Sequence, residues 1–195
     1  MNVSHMEFIL VECTNSTQPE NSTKLYGFYA NVPLRKPKLA KKAKKWNHRD
    51  LADIPDSIFV LAIDSASRTE LFRNIPQTME FLVKNLGFID FKGHHPIGEP
   101  TIRNMAPLFF GMSYEEFLKH SGKEWVDSWD AAPFIWKLYN QLNYVTGYFE
   151  DLPRMATFNY FGQQGFLRQP VDLYTRPLML AHEITYRDSG RVKFA

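Results

Sequence analysis

Ile58-Phe59-Val60-Leu61-Ala62-Ile63 is an unbroken apolar run that stops on Asp64. A strand with one wet face alternates apolar and polar residues, and this run does not. It fits a strand buried on both faces, as in the interior of a parallel sheet. Ser65, Ser67 and Arg68 follow as a polar loop. A helix is expected from about Asn74, a cap residue, with Pro76 in its first turn. Ile75, Met79, Leu82, Val83 and Leu86 then fall on one helical face, and Gly87 suits the stop. Phe88-Ile89-Asp90-Phe91 reads as a second short strand.

The same alternation continues downstream. A loop over residues 94–101 leads to a short helix from Thr101, with Met105, Leu108 and Phe109 on one side. Ser113 and Glu116 have capping-box spacing. Asp130 is read as the cap of a helix carrying Ile135, Leu138, Tyr139 and Leu142. Residues 143–149 read as a strand ending in Glu150-Asp151. Strands alternating with helices predict an α/β class: a mainly parallel sheet flanked by helices, with ligands at the carboxyl ends of the strands. Upstream, residues 6–12 and 25–33 read as two strands. The expected organisation is a strand pair over 1–33, a basic connector over 34–56, and an α/β domain part over 57–195.

With 44% apolar and 15% aromatic residues, the 195-residue chain is not disordered. No run reaches the roughly 18 apolar residues that a membrane-spanning helix needs. Met1 is followed by neither a basic n-region nor a long apolar h-region, so no signal peptide is read. Yet Asn2, Asn15 and Asn21 each open a glycosylation sequon within the first 23 residues. Cys13, the only cysteine, is either a buried small hydrophobe or half of a disulfide. Sequons without a signal peptide are reconciled if the chain is one piece of a longer secretory-pathway protein.

Residues 35–49 hold eight Lys/Arg and no acid, leaving fifteen of the 23 basic residues against all 21 acidic ones elsewhere. Such a segment is a solvated linker or a contact for a polyanion. Trp46 is its one aromatic residue, so the interleaved stacking pattern of single-strand nucleic-acid binders is missing and no nucleic acid is expected.

Several places carry candidate chemistry. Asp64, at a strand end, offers a hard oxygen to a divalent metal ion, or caps the following turn. Thr101 opens a helix whose N–H groups suit an anion; its hydroxyl is a nucleophile beside a metal, or an ordinary N-cap. Glu150 and Asp151 follow a strand, and at most one of two adjacent acids reaches a shared ion. Arg68 and Arg103 are cations for an anionic group. His94 and His95 are a histidine pair in a loop. There is no GxSxG elbow, Gly-rich phosphate loop, HExxH or C-x-P-x-R motif.

The run Phe59 to Arg68 resembles the opening motif of an uncharacterised family of secreted animal proteins with a sulfatase-like domain in the alkaline phosphatase superfamily. Further matches stand in order over about residues 6–185. They are Met79-Glu80-Phe81-Leu82, Gly98 to Thr101 with Asn104 and Pro107-Leu108, and Pro133-Phe134-Ile135-Trp136. Glu150-Asp151, Thr157-Phe158-Asn159-Tyr160, and Gln169-Pro170-Val171-Asp172 with Arg176-Pro177 follow. The resemblance implies a metal-dependent hydrolase or transferase of phosphate or sulfate esters. In it Asp64 is a metal ligand, Thr101 a nucleophile that also touches the metal, and Glu150 or Asp151 an active-site neighbour. It also implies that the remaining Asp and His ligands lie later than Ala195, so that this stretch alone is inactive. Where the family has Gly-Asp-Asn-Thr-Phe-Pro-Asn, this chain has Gly98-Glu99-Pro100-Thr101-Ile102-Arg103-Asn104. The alternative expectation is a non-catalytic extracellular domain that holds acidic glycans through residues 35–49.

Overall fold

The computed structural model describes residues 5–14, 24–33, 36–46, 56–122, 126, 128–160 and 163–188. Contacts divide the chain into two compact units, Met1–Asp50 with Gly98–Ala195, and Leu51–Ile97.

The first unit opens with an antiparallel hairpin. β1 (Phe8–Thr14) pairs with β2 (Lys24–Ala30) in an unbroken register from Phe8 opposite Ala30 to Thr14 opposite Lys24. Cys13 sits near the end of β1 as an exposed free thiol. Asn2, Asn15 and Asn21 lie outside the described residues.

The expected connector is a helix over part of its length, α1 (Pro37–Trp46). Its composition explains why: proline suits the first helical position, and lysine and alanine are good helix formers. Leu39 and Lys42 are turned inward, at 3% and 4% exposure. A buried ammonium needs acceptors for all three protons. Lys42 donates to Asn140 Oδ1 at 2.6 Å, to the Tyr144 carbonyl at 2.7 Å, and to Asp172 Oδ2. The same Asp172 oxygen accepts from the Thr146 N–H at 3.0 Å and the Thr146 hydroxyl at 3.1 Å. Lys38 pairs with the other oxygen at 2.8 Å. Burial alone pushes the Asp172 carboxyl up, but Lys38, Lys42 and the Thr146 N–H outweigh it and hold its pKa below the ordinary aspartate value.

The core is aromatic. α4 (Thr101–Phe110), α5 (Tyr114–Ser121) and α6 (Ile135–Gln141) surround Trp129, Phe134 and Phe158, all at 0% exposure. Phe134 lies edge-on to Phe110 at 5.2 Å and to Phe158 at 5.1 Å, and stacks on Trp136. Such geometries add to the area the rings remove from water. α4 buries Ile102, Ala106 and Phe110, a stripe at i, i+4 and i+8, and leaves the expected Leu108 57% exposed. α5 has the expected capping box: Ser113 Oγ accepts from the Glu116 N–H at 3.1 Å and Glu116 Oε2 accepts from the Ser113 N–H at 2.7 Å. Asp130 does not cap α6. It lies in a 3₁₀ turn, Trp129–Ala131, whose own cap is Ser128. α6 turns Trp136 inward, while Leu138 and Leu142 face outward. The expected strand over 143–149 shortens to β3 (Gly147–Tyr148), parallel to β4 (Leu173–Tyr174). α7 (Arg176–Asp188) ends the described chain and meets the hairpin where Phe28 packs edge-on to His182 at 5.0 Å.

In the second unit, α2 (Arg68–Asn74) is capped by the Ser67 hydroxyl, which accepts from the Glu70 N–H at 3.2 Å. Asn74 therefore ends a helix instead of starting one. Ile75 breaks the axis, and α3 (Pro76–Glu80) takes Pro76 at its first position before widening into a π turn over Phe81–Asn85. The runs 58–63 and 88–91, expected as strands, are neither helix nor strand and join no sheet among the described residues. Phe59, Leu61 and Ile89 are 87%, 75% and 77% exposed. Among the described residues the strands thus form one antiparallel and one parallel pair, and no helix is long and apolar enough to cross a membrane.

Removing one partner of the Lys42–Asp172 pair strands a charge in the core. Lys42→Met or Asp172→Asn should each lower unfolding stability by about 3–5 kcal/mol. The double substitution should cost clearly less than the sum, as read from urea denaturation midpoints.

Candidate functional site

The apolar run delivers Asp64 to an exposed turn. Its Oδ1 accepts from the Ser65 N–H at 2.9 Å, and Ser65 takes the left-handed conformation, φ 54°, that reverses the chain into α2. The carboxylate therefore does what the turn-capping alternative expects of it. Arg68 is committed elsewhere. Its Nε donates to Asp90 Oδ1 at 2.6 Å, a second guanidinium nitrogen reaches Asp90 Oδ2, and the cation lies 4.8 Å over the Phe72 ring. The fork joins the start of α2 to the segment after α3. Hydrogen bonding from Arg68 is the main reason that the Asp90 carboxyl is held below its ordinary pKa.

Thr101 belongs to the other unit, where it is the exposed first residue of α4. The residue before the helix is Pro100, preceded by a cis peptide, and no side chain caps the helix start. The first-turn N–H groups keep the positive end of the helix dipole next to the Thr101 hydroxyl. Asn104 closes this loop. Its Nδ2 donates to the Gly98 carbonyl at 2.7 Å, and its Oδ1 accepts from the Gly98 N–H at 3.4 Å. Arg103 pairs with Glu115 at 3.0 Å on the surface.

Glu150 also has a structural duty. Its Oε1 accepts from the Thr157 N–H at 2.9 Å and the Thr157 hydroxyl at 2.7 Å, tying down the loop after β3. Behind it stand two tyrosines. Burial first, and then the Glu150 charge, pushes the Tyr148 hydroxyl far up. Tyr174 is pushed up to about 12, again chiefly by burial. Neither loses its proton at neutral pH. Asp151, His94 and His95 are exposed. The His95 ring nitrogen Nδ1 lies 3.0 Å from the Gly93 carbonyl. Among the described residues no three His, Cys, Asp or Glu side chains come together as a metal centre.

The structure thus ties Asp64, three residues before the Ser67 cap of α2, to the adjacent Ser65, and groups Thr101 with Asn104 and Arg103 on one loop-helix junction. The sequence placed Lys42 in the basic segment and Asp172 in a matched motif, but not the buried polar cluster that they form with Asn140 and Thr146. The available signal was an acid inside Gln169-Pro170-Val171-Asp172-Leu173, an otherwise apolar-leaning approach to a strand. A family model described as "Protein of unknown function (DUF229)" matches residues 3–195. No curated protein and no solved structure matches the chain.

The Arg68–Asp90 fork can be read by its titration. With the folded pKa of Asp90 below its unfolded value, the pair's stabilisation is present above the unfolded value and is lost as pH falls through the folded one. In a carboxyl NMR titration Asp90 should protonate at lower pH than a free aspartate, and Arg68→Gln should return it upward.

Proposed function

We propose that this chain, which belongs to the DUF229 family of proteins of unknown function, forms part of a metal-dependent hydrolase or transferase domain acting on phosphate or sulfate esters. The observation that carries this reading is the segment 58–68. Six apolar residues, heavily exposed and without sheet partners among the described residues, lead into a carboxylate on a turn, and Ser67 three residues on caps α2. A strand of this kind is stable once neighbouring strands and helices cover both its faces. In a parallel sheet, its carboxyl end then faces the ligand crevice. Asp64 stands at that end.

In this reading Asp64 supplies one oxygen ligand to a divalent ion, which when bound would polarise the ester. One carboxylate does not make a metal site, and the described residues assemble no such centre. What the chain's own residues contribute is specific. Thr101 offers the acceptor hydroxyl for the transferred group. The uncapped first turn of α4 faces that group's negative charge. Asn104 fixes the loop that aims them. Arg103, on the same first turn, is one salt bridge away from serving an anion. Arg68 and Glu150 act through structure, by holding Asp90 and Thr157. The sequons at Asn2, Asn15 and Asn21 support a glycosylated setting in the secretory pathway.

The test is turnover of 4-nitrophenyl phosphate and 4-nitrophenyl sulfate by the native protein with and without a chelator. Chelation should abolish turnover, and Thr101→Ala and Asp64→Asn should each lower kcat by about a hundredfold or more. Turnover that survives chelation, or that Thr101→Ala leaves untouched, removes the reading.

A further inference from the structure

We infer that the outward face of α1 is a docking surface for a sulfated glycan, with Lys41 and Lys44 as its contacts. This inference is independent of the ester-hydrolase reading.

The structure sorts the lysines of this segment by what they already hold. Lys36 pairs with Glu7 at 2.9 Å and Lys38 with Asp172 at 2.8 Å. Lys42 is spent inside the core. Lys45 donates to the Leu142 carbonyl at 3.3 Å. Lys41 and Lys44 differ from all of these. Both are exposed, they stand one helical turn apart, and among the described residues neither has an ion pair or a hydrogen bond. Positions three apart on a helix are neighbours, with Cβ atoms roughly 5–6 Å from each other. The two ammonium groups therefore form a short cationic row that no carboxylate among the described residues neutralises, on a chain whose charge outside residues 35–49 is net acidic.

The kind of partner follows from what the face lacks. A single phosphate is gripped by donors that converge on it, typically with an arginine fork. This face offers two separate point charges on a convex surface, which suit an anion repeated along a polymer. A membrane-surface helix presents large apolar residues beside its cations. Here Leu39 is turned inward at 3% exposure, and the described exposed residues of α1 are Pro37, Lys38, Lys41, Lys44 and Lys45. A single-stranded nucleic acid needs a series of aromatic platforms, and α1 carries one aromatic residue, at its last position. Compact lysine charges on a sequon-bearing chain leave a sulfated glycan as the polymer that fits.

The test is affinity of the native protein for immobilised heparin and for a chemically desulfated heparin at matched ionic strength. Binding should require sulfation and weaken about fivefold for each of Lys41→Glu and Lys44→Glu, with a shallower salt dependence in the double variant. Lys119→Glu, an exposed lysine on α5, should change little. Circular dichroism should show all variants folded, since neither contact residue is buried. The inference is overturned if heparin is not bound, or if the double variant binds as the parent does. Equal binding of desulfated heparin, duplex DNA or phosphatidylserine vesicles overturns it as well. Loss of ester turnover in the same preparations would bear on the hydrolase reading alone.

Discussion

A carboxylate buried to the extent of Asp172 stays ionised only if nearly every lone pair is answered, because the interior replaces the water it has lost with very little. Asp172 meets that demand with donors from two parts of the chain: Lys38 and Lys42 of α1, and the backbone and hydroxyl of Thr146. Lys42 in turn needs Asn140 and the Tyr144 carbonyl at the end of α6. The consequence is topological. β3 begins one residue after Thr146 and β4 one residue after Asp172, so the same carboxylate that anchors α1 sets the register of the one parallel strand pair among the described residues. The position of Glu150, and with it the loop to Thr157, follows from that register.

Around this anchor the rest of the first unit is held by rings. Trp129, Phe134 and Phe158 are fully buried and pack mostly edge-on or tilted, in the arrangement that aromatic quadrupoles favour. The helices are short, and their ends are fixed by local devices: the Ser113–Glu116 box, and left-handed Gly111 and Gly122 at the C-caps. The second unit has no comparable centre. It is held by the Arg68–Asp90 fork and the Ser67 cap, and none of its described residues is buried. Its apolar runs 58–63 and 88–91 join no sheet among the described residues, and the proposed function rests on reading the first of them as a strand.

Local signals were legible in the sequence, and non-local ones were not. The hairpin strands, the capping box at Ser113 and the turn after Ile63 lie close to where periodicity and cap residues put them. α4 and α6 formed, but with different faces inward. Sequence periodicity favoured Leu108, Leu138 and Leu142, and the structure buries Phe110, Phe134 and Trp136, because a cluster of interlocking rings fills the core better than scattered leucines. The basic segment read as linker because lysine is the residue least often buried. Only the partner more than a hundred residues away, Asp172, makes an inward Lys42 tolerable, and no window of local sequence contains both. Thr101 was legible as the opening residue of a helix, and Asp64 sits on a turn as its capping alternative had it, but the strand expected before it joins no sheet among the described residues. The local duties of Arg68 and Glu150 depended on partners at Asp90 and Thr157 that spacing alone does not reveal.

Amide hydrogen exchange along α1 tests this arrangement most directly. If Asp172 anchors the helix, the amides of residues 41–45 exchange far more slowly than in an unstructured chain, and Asp172→Asn accelerates them while the α5 amides stay protected. Exchange of the α1 amides at unstructured rates in the unaltered protein would show that the basic segment is free, and the buried pair could not then be what organises the molecule.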